Sequence, residues 1–346
     1  MEDSITIVLD SREVLSGVCG ANDGNLKVIE GSLGGRIAAR GNEIRLEGVD
    51  EAGGRRFRTM MDSLIAAVRE GHSPSPEYVQ ALAGVIPPVE AVEGGELFAS
   101  PAGEAPEENP EPGGVSLKTG PELMRETLIQ IPHGFMRVFP RTMNQAWYIR
   151  GMRSRDISFC VGPAGTGKTY LAIAEALRLV LSKKIRKLVL TRPVVEAGES
   201  LGFLPGDLTQ KINPYLRPLY DAMESLIPYE IIRRMEESRS IEIAPLAYMR
   251  GRSLNNSMII LDEAQNTTKE QMKMFLTRIG QDARAVITGD VTQIDLPKRI
   301  DSGLLHALSI LSGMEGIHIS YLNTADVVRN PLIKKIIQAY DNEEKH

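Results

Sequence analysis

Cysteine is scarce in this chain, with only Cys19 and Cys160 among 346 residues. Neither belongs to a C-x-x-C pair, which argues against a thiolate zinc cluster. So little cysteine is typical of proteins from a reducing compartment. Cys160 stands in the apolar run ISFCV, where we expect it to be a small buried residue.

An excess of positive charge is also absent, because the formal net charge is −5. Nucleic-acid binding must therefore come from a local patch, if it occurs at all. No apolar run approaches the roughly 20 residues that a membrane-spanning helix needs. The beginning MEDSITIVLD lacks the basic start and long apolar run of a secretory signal, so we expect a cytoplasmic protein without a membrane contact.

The remaining composition divides the chain into three parts. Residues 1–92 indicate a small α+β domain. Residues 93–120 are rich in Gly, Pro, Glu and Ala with almost nothing to bury, which predicts a flexible linker. From residue 121 to 346, short apolar runs alternate with helical patterns, which predicts a doubly wound α/β layer with a parallel sheet. Five strands are expected there, in ISFCV, KLVLTR, MIILD, RAVITGD and GIHISYL.

The first part has the pattern strand, helix, hairpin, helix, with the hairpin turning at Gly41 and Asn42. Gly31 and Gly34 bracket a G-x-x-G sequence, which in KH domains clamps a nucleic-acid backbone. A KH clamp joins two helices, whereas this sequence joins a helix to a strand, so a helix C-cap is the alternative. The region is also locally basic, which keeps RNA binding open; its arginines are Arg36, Arg40, Arg45, Arg55, Arg56 and Arg58.

Residues 162–169 form a complete P-loop, G-x-x-x-x-G-K-T, after a predicted strand and at the start of a predicted helix. The glycines let backbone N–H groups surround phosphates, and the helix N-terminus favours negative charge. Lys168 is expected to reach the β- and γ-phosphates, and the Thr169 hydroxyl to bind Mg²⁺. The expected nucleotide-binding residues of the loop are Gly162, Pro163, Ala164, Gly165, Thr166, Gly167, Lys168 and Thr169.

The strand SMIIL is followed by Asp262 and Glu263. Adjacent acids at a strand end point to different targets, because side chains alternate. We assign Asp262 to the metal and Glu263 to the attacking water, the two roles that phosphoryl hydrolysis requires. A solvated acidic turn is the alternative.

Four further polar residues are candidates for contacts with the nucleotide. Thr288, Asp290 and Gln293 follow a third strand and could sense the γ-phosphate, although this could be an ordinary strand-to-loop turn. Gln145, just before the first nucleotide-binding strand, carries an amide that can both donate to and accept from an adenine edge. The alternative for Gln145 is a surface glutamine of a helix.

Arginines supply two more hypotheses. Arg329, in the sequence DVVRN, could be an arginine finger for the γ-phosphate of a neighbouring subunit, or it could pair with Asp326. Arg192, Arg250 and Arg252 could bind a phosphate backbone, or they could be solvated or paired within the chain.

Taken together, these motifs resemble the PhoH family of bacterial P-loop ATPases over roughly residues 125–340. The matching pieces run in order: PRTMNQ, GPAGTGKT, TRPVVEAGESLGFLPGD, LAYMRGR, ILDEAQN, TGDVTQIDLP and DVVRN. The resemblance implies a RecA-like ATPase core similar to that of superfamily-one helicases, ATP hydrolysis with Mg²⁺, and a link to RNA metabolism. For members with this N-terminal domain, which is KH-like, it also implies partnership with an endoribonuclease of ribosome maturation acting on rRNA.

The sequence holds one P-loop core and too few residues after DVVRN for a second. A motor would therefore need a neighbouring subunit to complete its site, which predicts a homo-oligomer, a hexameric ring with Arg329 at the neighbour's ATP. Three functions stay open: an RNA-coupled ATPase or helicase-like motor, a nucleotide-switched adaptor that recruits an endoribonuclease to rRNA without unwinding, and a kinase. Glu263 beside Asp262 argues against the kinase.

Overall fold

The computed structural model describes residues 4–86, 120–193, 208–297 and 299–327, with only the backbone described for 208–214. The chain divides into two compact units. The first comprises Met1–Leu128 with Phe139–Ala146, and the second comprises Ile129–Val138 with Trp147–His346. The predicted linker at 93–120 lies outside the described residues, apart from Gly120.

Within the described residues, the first unit contains three strands and five complete α-helices. In chain order these are β1 (Ile5–Val8), α1 (Arg12–Cys19), α2 (Gly24–Leu33), β2 (Arg36–Arg40), β3 (Glu43–Glu47), α3 (Glu51–Arg69), α4 (Pro76–Val85) and α5 (Gly120–Thr127). The strands form an antiparallel sheet in the order β1-β3-β2. The predicted hairpin at Gly41 and Asn42 is therefore present between β2 and β3.

Side-chain caps explain where three of these helices begin. Ser11, Asp50 and Ser75 each accept a hydrogen bond from a backbone N–H of the first turn, in α1, α3 and α4. One face of α3 then packs into the core of the unit through buried apolar residues. These are Phe57, Met60, Met61 and Leu64.

The first unit differs from the sequence prediction in two respects. Helices α1 and α4 were not predicted, so two helices, not one, stand between β1 and β2. The boundary expected at residue 121 also lies elsewhere, because α5 and residues 139–146 belong to the first unit. The physical reason is apolar packing, since Met124 of α5 and Phe139 join the same core as α4.

The second unit is built around a six-stranded sheet. Its elements are β4 (Ile129–Gln130), β5 (Arg137–Val138), α6 (Met143–Ser154, of this unit from Trp147), β6 (Ile157–Val161), α7 (Lys168–Leu181), β7 (Lys187–Arg192), α8 (Leu208–Glu224), α9 (Tyr229–Glu237), β8 (Ile241–Pro245), β9 (Ser257–Leu261), α10 (Lys269–Leu276), β10 (Arg284–Gly289), α11 (Gly303–Leu311) and β11 (Ile317–Tyr321).

All pairings in this sheet are parallel, in the order β11-β6-β10-β9-β7-β8. Both faces are covered by separate apolar clusters, one including α7, α8 and α9 and the other including α10 and α11. One strand, β10, stands between the P-loop strand β6 and the strand β9 that precedes Asp262. The predicted α/β fold with a RecA-like parallel core is confirmed.

The five predicted strands are present as β6, β7, β9, β10 and β11, and the structure adds a sixth, β8. Among the described residues, no helix is long and apolar enough to cross a bilayer.

Candidate functional site

The P-loop connects β6 to α7 through a turn that only glycine fits well. Gly165 and Gly167 have φ angles of 82° and 84°, in the left-handed region that side chains disfavour. At Gly162, a Cβ would lie 2.4 Å from the carbonyl oxygen of Leu322. The loop conformation therefore depends on the absence of side chains at these three positions.

The N-terminus of α7 has the features of a phosphate-binding site. Gly167 is its N-cap residue, and no described side chain caps the helix. The first N–H groups of the helix are therefore left for an anion, which the helix dipole also favours. Thr166 is buried and its hydroxyl donates to the carbonyl oxygen of Pro163 at 2.9 Å, which holds the loop closed on itself.

Lys168 lies against the inside of this loop. Its Nζ donates to the carbonyl oxygens of Gly162 at 2.5 Å and Pro163 at 2.8 Å. Burial lowers the pKa of Lys168, against the raising effect of neighbours that include Asp290 and Asp262. The buried Tyr148 hydroxyl donates to the Lys168 carbonyl oxygen at 3.2 Å. The ammonium group is thus placed where it can contact a phosphate bound in the loop.

Asp262 is the centre of a hydrogen-bond cluster at the C-terminal edge of the sheet. It is 2% exposed, and its Oδ1 accepts from the hydroxyls of Thr169 and Thr288, each at 2.6 Å. Thr169 uses its proton in this bond, so the lone pairs of its oxygen stay available to a hard cation. Hydroxyl and carboxylate oxygens are the donors that Mg²⁺ prefers, and the residues present therefore fit a magnesium ion.

Arg192, the last residue of β7, holds the other oxygen of this carboxylate. Its Nε donates to Asp262 Oδ2 at 2.8 Å and its Nη2 donates to the same oxygen, while Nη1 donates to the Tyr215 carbonyl oxygen at 3.1 Å. Nη2 also lies 3.7 Å from Glu263 Oε1. Arg192 is therefore paired inside the chain, one of the alternatives open from the sequence.

Glu263 has a backbone and a side chain unlike those of Asp262. Its φ is 55°, in the left-handed region, and its side chain is 43% exposed. The carboxylate oxygen Oε2 accepts from Gln265 Nε2 at 2.7 Å. Such a strained, partly solvated carboxylate beside a buried one is able to orient a water molecule.

Gln265, which was not singled out from the sequence, connects three parts of the site. Besides its bond to Glu263, Nε2 donates to the Gln293 carbonyl oxygen at 3.1 Å, and Oε1 accepts from the Asp290 backbone N–H at 3.0 Å. A Cβ on Gly289 would lie 3.0 Å from Oε1. Gln265 stands in the sequence DEAQN next to the two candidate acids, but only the fold reveals that its buried amide connects the residues after β9 with those after β10.

Asp290 is buried directly after β10, the neighbour of the P-loop strand. Its Oδ1 accepts from the backbone N–H of Thr292 at 3.0 Å and from its hydroxyl at 2.6 Å. Its Oδ2 is buried without a hydrogen-bond partner among the described residues. Asp290 therefore keeps an acceptor available near Lys168.

The other candidates lie in different surroundings. Gln145 is buried rather than on the surface, and its Oε1 accepts from the Arg141 backbone N–H at 2.7 Å; its role at adenine stays a prediction. Arg252 pairs with Glu242, whereas Arg250 is exposed. Arg329 lies outside the described residues. The Cys160 thiol is fully buried, which raises its pKa.

Several arginines of the first unit are also engaged. Arg45 pairs with Glu47, Arg55 pairs with Glu51, and Arg56 donates to the carbonyl oxygens of Ile86 and Ala83. Across the hairpin, Arg36 stands opposite Glu47 and Arg40 opposite Glu43. The outer face of this sheet therefore alternates in charge.

A KH clamp would lie between two helices, and the connection between helices α1 and α2 is formed by residues 20–23. Gly31 lies within α2, and Gly34 ends that helix with φ 75°. The G-x-x-G sequence is thus part of a helix C-terminus, the alternative to a KH clamp.

Comparison with known proteins identifies relatives that match nearly the whole chain and others that match a part of it. The family model for PhoH-like protein matches residues 137–341. The PhoH-like protein of Bacillus subtilis is 44% identical over 324 residues, 94% of this chain and 93% of the relative. Protein PhoH of Escherichia coli is 40% identical over 205 residues, 59% of this chain and 58% of the relative.

Among solved structures, the Pif1 helicase of Candida albicans matches 58% of this chain and 43% of its own, with 16% identity and a TM-score of 0.32. That score is too low to compare the two folds in detail. The near-complete match at 44% identity and the match of the family model over more than half of the residues agree with the P-loop geometry. The chain belongs to the PhoH family.

Proposed function

We propose that this protein binds ATP with Mg²⁺ and hydrolyses it. The observation that carries the proposal is the hydrogen bond between Thr169 at the start of α7 and Asp262 directly after β9. It lies beside the P-loop, where no described side chain caps the N-terminus of α7. Lys168 and the loop amides would hold the phosphates, with Thr169 and Asp262 holding the metal. Bound magnesium supplies the positive charge that neutralises phosphate oxygens as the terminal bond breaks.

Glu263 would orient the attacking water, because its carboxylate is partly exposed beside the buried Asp262. Gln265 would couple the position of the Glu263 carboxylate to the residues after β10, since its side-chain amide is hydrogen-bonded to Glu263, Asp290 and Gln293. The Asp290 Oδ2 acceptor and the Gln293 side chain are available to respond to a γ-phosphate. Such a chain of bonds gives hydrolysis a route to movement of the loop after β10.

The hydrolysis is proposed to be coupled to RNA, in ribosome maturation with an endoribonuclease as partner. The support is the family resemblance, together with the single P-loop core in this chain. The proposed assembly is a hexameric ring in which Arg329 completes a neighbour's site. Light scattering with ATP bound tests the ring: a monomer that hydrolyses ATP at the full rate would rule it out.

A nucleotide-switched adaptor is the second candidate function. It is favoured by the pairing of two arginines that could have contacted RNA, since Arg192 is bound to Asp262 and Arg252 to Glu242. Such a protein would hydrolyse ATP slowly and recruit the nuclease without unwinding RNA.

The test is the steady-state ATPase rate with and without single-stranded RNA at low salt. Glu263→Gln should abolish turnover while nucleotide binding remains. Glu315→Gln, which alters an exposed glutamate near β11, is the matched control and should leave the rate unchanged. A rate that RNA raises several-fold supports the motor. A slow rate indifferent to RNA supports the adaptor, and turnover that survives Glu263→Gln would remove the proposed role of that residue.

A further inference from the structure

The N-terminal edge of the six-stranded sheet carries a series of cations, all exposed except the half-buried Arg284, at the opposite ends of the strands from the P-loop and Asp262. They lie at the beginnings of four of the strands, either in the loop that leads into the strand or, for Arg284, at its first residue. Arg155 comes before β6, Arg284 begins β10, Lys183, Lys184 and Arg186 come before β7, and Arg239 comes before β8.

These side chains have no carboxylate partner within the described ranges of the chain. Among the described residues, the one side-chain hydrogen bond that these cations make is from Arg284 Nη1 to the Met152 carbonyl oxygen, at 3.4 Å. By contrast, the neighbouring cations Lys187 and Arg252 share the carboxylate of Glu242. A concentration of unpaired positive charge is unexpected in a chain of net charge −5, and it is the electrostatic footprint of a polyanion site.

Because the strands lie side by side in the sheet, these cations form a row along its N-terminal edge. From β6 to β8 the sheet runs β6-β10-β9-β7-β8, and cations lie at the beginnings of four of these five strands. Adjacent strands lie about 4.8 Å apart, so the row extends over roughly 19 Å. At β9, the position without a cation, the loop carries Asn255 and Asn256. The row has the length of a short run of nucleotides.

A cavity of about 500 Å³ opens into the same edge. Its apolar lining includes Leu179, Ile185 and Ile279, and its cations are Lys184 and Arg284. The volume lies within the range of small-ligand sites, roughly 300–1,000 Å³.

Two carboxylates, those of Asp156 and Asp282, also line the cavity, and neither has an ion-pair partner in the described part of the chain. Carboxylates accept hydrogen bonds from the exocyclic amino groups of bases. An acidic peptide would meet these two negative charges inside the cavity, whereas a base would meet an apolar wall and two acceptors.

We propose that this edge binds a single-stranded nucleic acid, with phosphates along the row of cations and one amino-bearing base in the cavity. A positively charged surface that follows the backbone is one of the means by which proteins hold single strands. The site would give the proposed ATPase a nucleic-acid surface separate from its nucleotide site. It rests on the proposed function only for the expectation that the strand is RNA.

The experiment measures binding of fluorescently labelled oligocytidylate and oligouridylate by anisotropy, between 50 and 200 mM salt. The test variant combines Lys184→Gln with Arg186→Gln, both exposed side chains whose loss should leave folding intact. Lys273→Gln, an exposed and unpaired lysine on α10, is the control. Each lost phosphate contact should lower the slope of log K against log salt by about 0.7. The double variant should therefore lose about 1.4 in slope, and Lys273→Gln none.

The base in the cavity is tested by Asp282→Asn. The wild-type protein should bind oligocytidylate more tightly than oligouridylate, and the substitution should reduce that preference. The same oligomers made as DNA distinguish the two kinds of strand, since equal affinity for both would assign the site to single strands in general.

Three results would overturn the proposal. An unchanged salt slope in the double variant, with RNA-stimulated ATPase intact, would move the RNA elsewhere and leave the proposed function standing. A wild-type protein that binds no single strand would overturn this proposal and the proposed RNA-coupled motor, while leaving the proposed ATP hydrolysis to be judged by the ATPase rate. Displacement of the strand by polyglutamate at equal charge concentration, with no base preference, would assign the edge to an acidic protein instead.

Discussion

Arg192 offers a measurable test of the arrangement at the end of β9. Its guanidinium donates twice to Asp262 Oδ2, and the carboxylate it holds is 2% exposed. Arg192→Met keeps most of the apolar stem and removes the charge. Among the described residues, the hydroxyls of Thr169 and Thr288 would then be the side-chain donors left to the buried Asp262 carboxylate. We expect the second unit to lose stability.

The magnitude follows from the burial of the pair. Removing one partner of a fully buried ion pair costs about 3–5 kcal/mol. The Arg192 side chain keeps 14% exposure, and Asp262 keeps two hydroxyl bonds, so the expected cost is about 2–3 kcal/mol. Asp262→Asn removes the charge that needs a partner. In that background, Arg192→Met should therefore cost less than about 1 kcal/mol, which is a coupling energy of roughly 2 kcal/mol.

The assay is urea unfolding followed by tryptophan fluorescence. Trp147 is the single tryptophan of the chain and belongs to the second unit, so its signal reports on the unit that contains the pair. The control cycle uses Arg217 and Asp221, an exposed i,i+4 pair on α8, whose coupling should stay below about 0.5 kcal/mol. A coupling between Arg192 and Asp262 as small as that of the control would refute the account of Arg192 given above.

Three further predictions concern stability and turnover. Hydrogen bonding by Arg252, opposed by burial, lowers the pKa of Glu242 from 4.5 to about 2, so the ionised carboxylate stabilises the fold fully above pH 4.5 and loses this effect as the pH falls towards 2. The wild-type protein should therefore exceed Glu242→Gln in free energy of unfolding by about 2 kcal/mol at neutral pH and by almost nothing near pH 2, as measured by urea unfolding. Glu175 is fully buried and paired with two arginines, so Glu175→Gln should lower the free energy of unfolding by about 3 kcal/mol, measured by the same urea unfolding. Gly289→Ala should press on the Leu304 side chain, 2.4 Å from the added Cβ, and on Gln265 Oε1 at 3.0 Å, and so lower the ATPase rate with unchanged nucleotide affinity in a binding titration.

The strongest sequence signals were those that act over a few residues. The P-loop needs glycines at fixed spacing before a helix, so its position between β6 and α7 could be predicted without a structure. Four of the five strands, β6, β7, β9 and β10, were predictable because a strand covered on both faces is a continuous apolar run, whereas β11 at the sheet edge is only partly buried. The hairpin at Gly41 and Asn42 followed from the turn preference of those residues.

The elements that the sequence did not reveal lack a local signal. In β8 the run IEIAP interrupts its apolar residues with Glu242 and ends in proline, and it becomes a strand because it pairs with β7 at the sheet edge. Its glutamate is tolerated because Lys187 and Arg252 neutralise it. Helix α1 has only eight residues, too short for its period to stand out, although Ser11 caps it.

The candidate site divides in the same way. Lys168, Thr169 and Asp262 were predictable because each stands in a motif whose chemistry requires that residue type. The contacts of Arg192 and Gln265 were not, since each joins strands or loops that are distant in the sequence. Arg192 reaches Asp262 across 70 positions, and Gln265 reaches Gln293 across 28.

The two edges of the sheet suggest how nucleotide and nucleic acid could communicate. Helix α7 begins at Lys168 in the P-loop, and the loop that follows its end carries Lys184. Its 14 residues span about 21 Å at 1.5 Å per residue, and most of its length is buried in the core, so it can move only as a rigid body. If bound ATP changes the affinity of the protein for RNA by some coupling factor, bound RNA must change its affinity for ATP by the same factor. Substituting Lys184 and Arg186 should then abolish that factor while ATP affinity without RNA stays unchanged, and a factor that survives would mean that coupling runs through another surface.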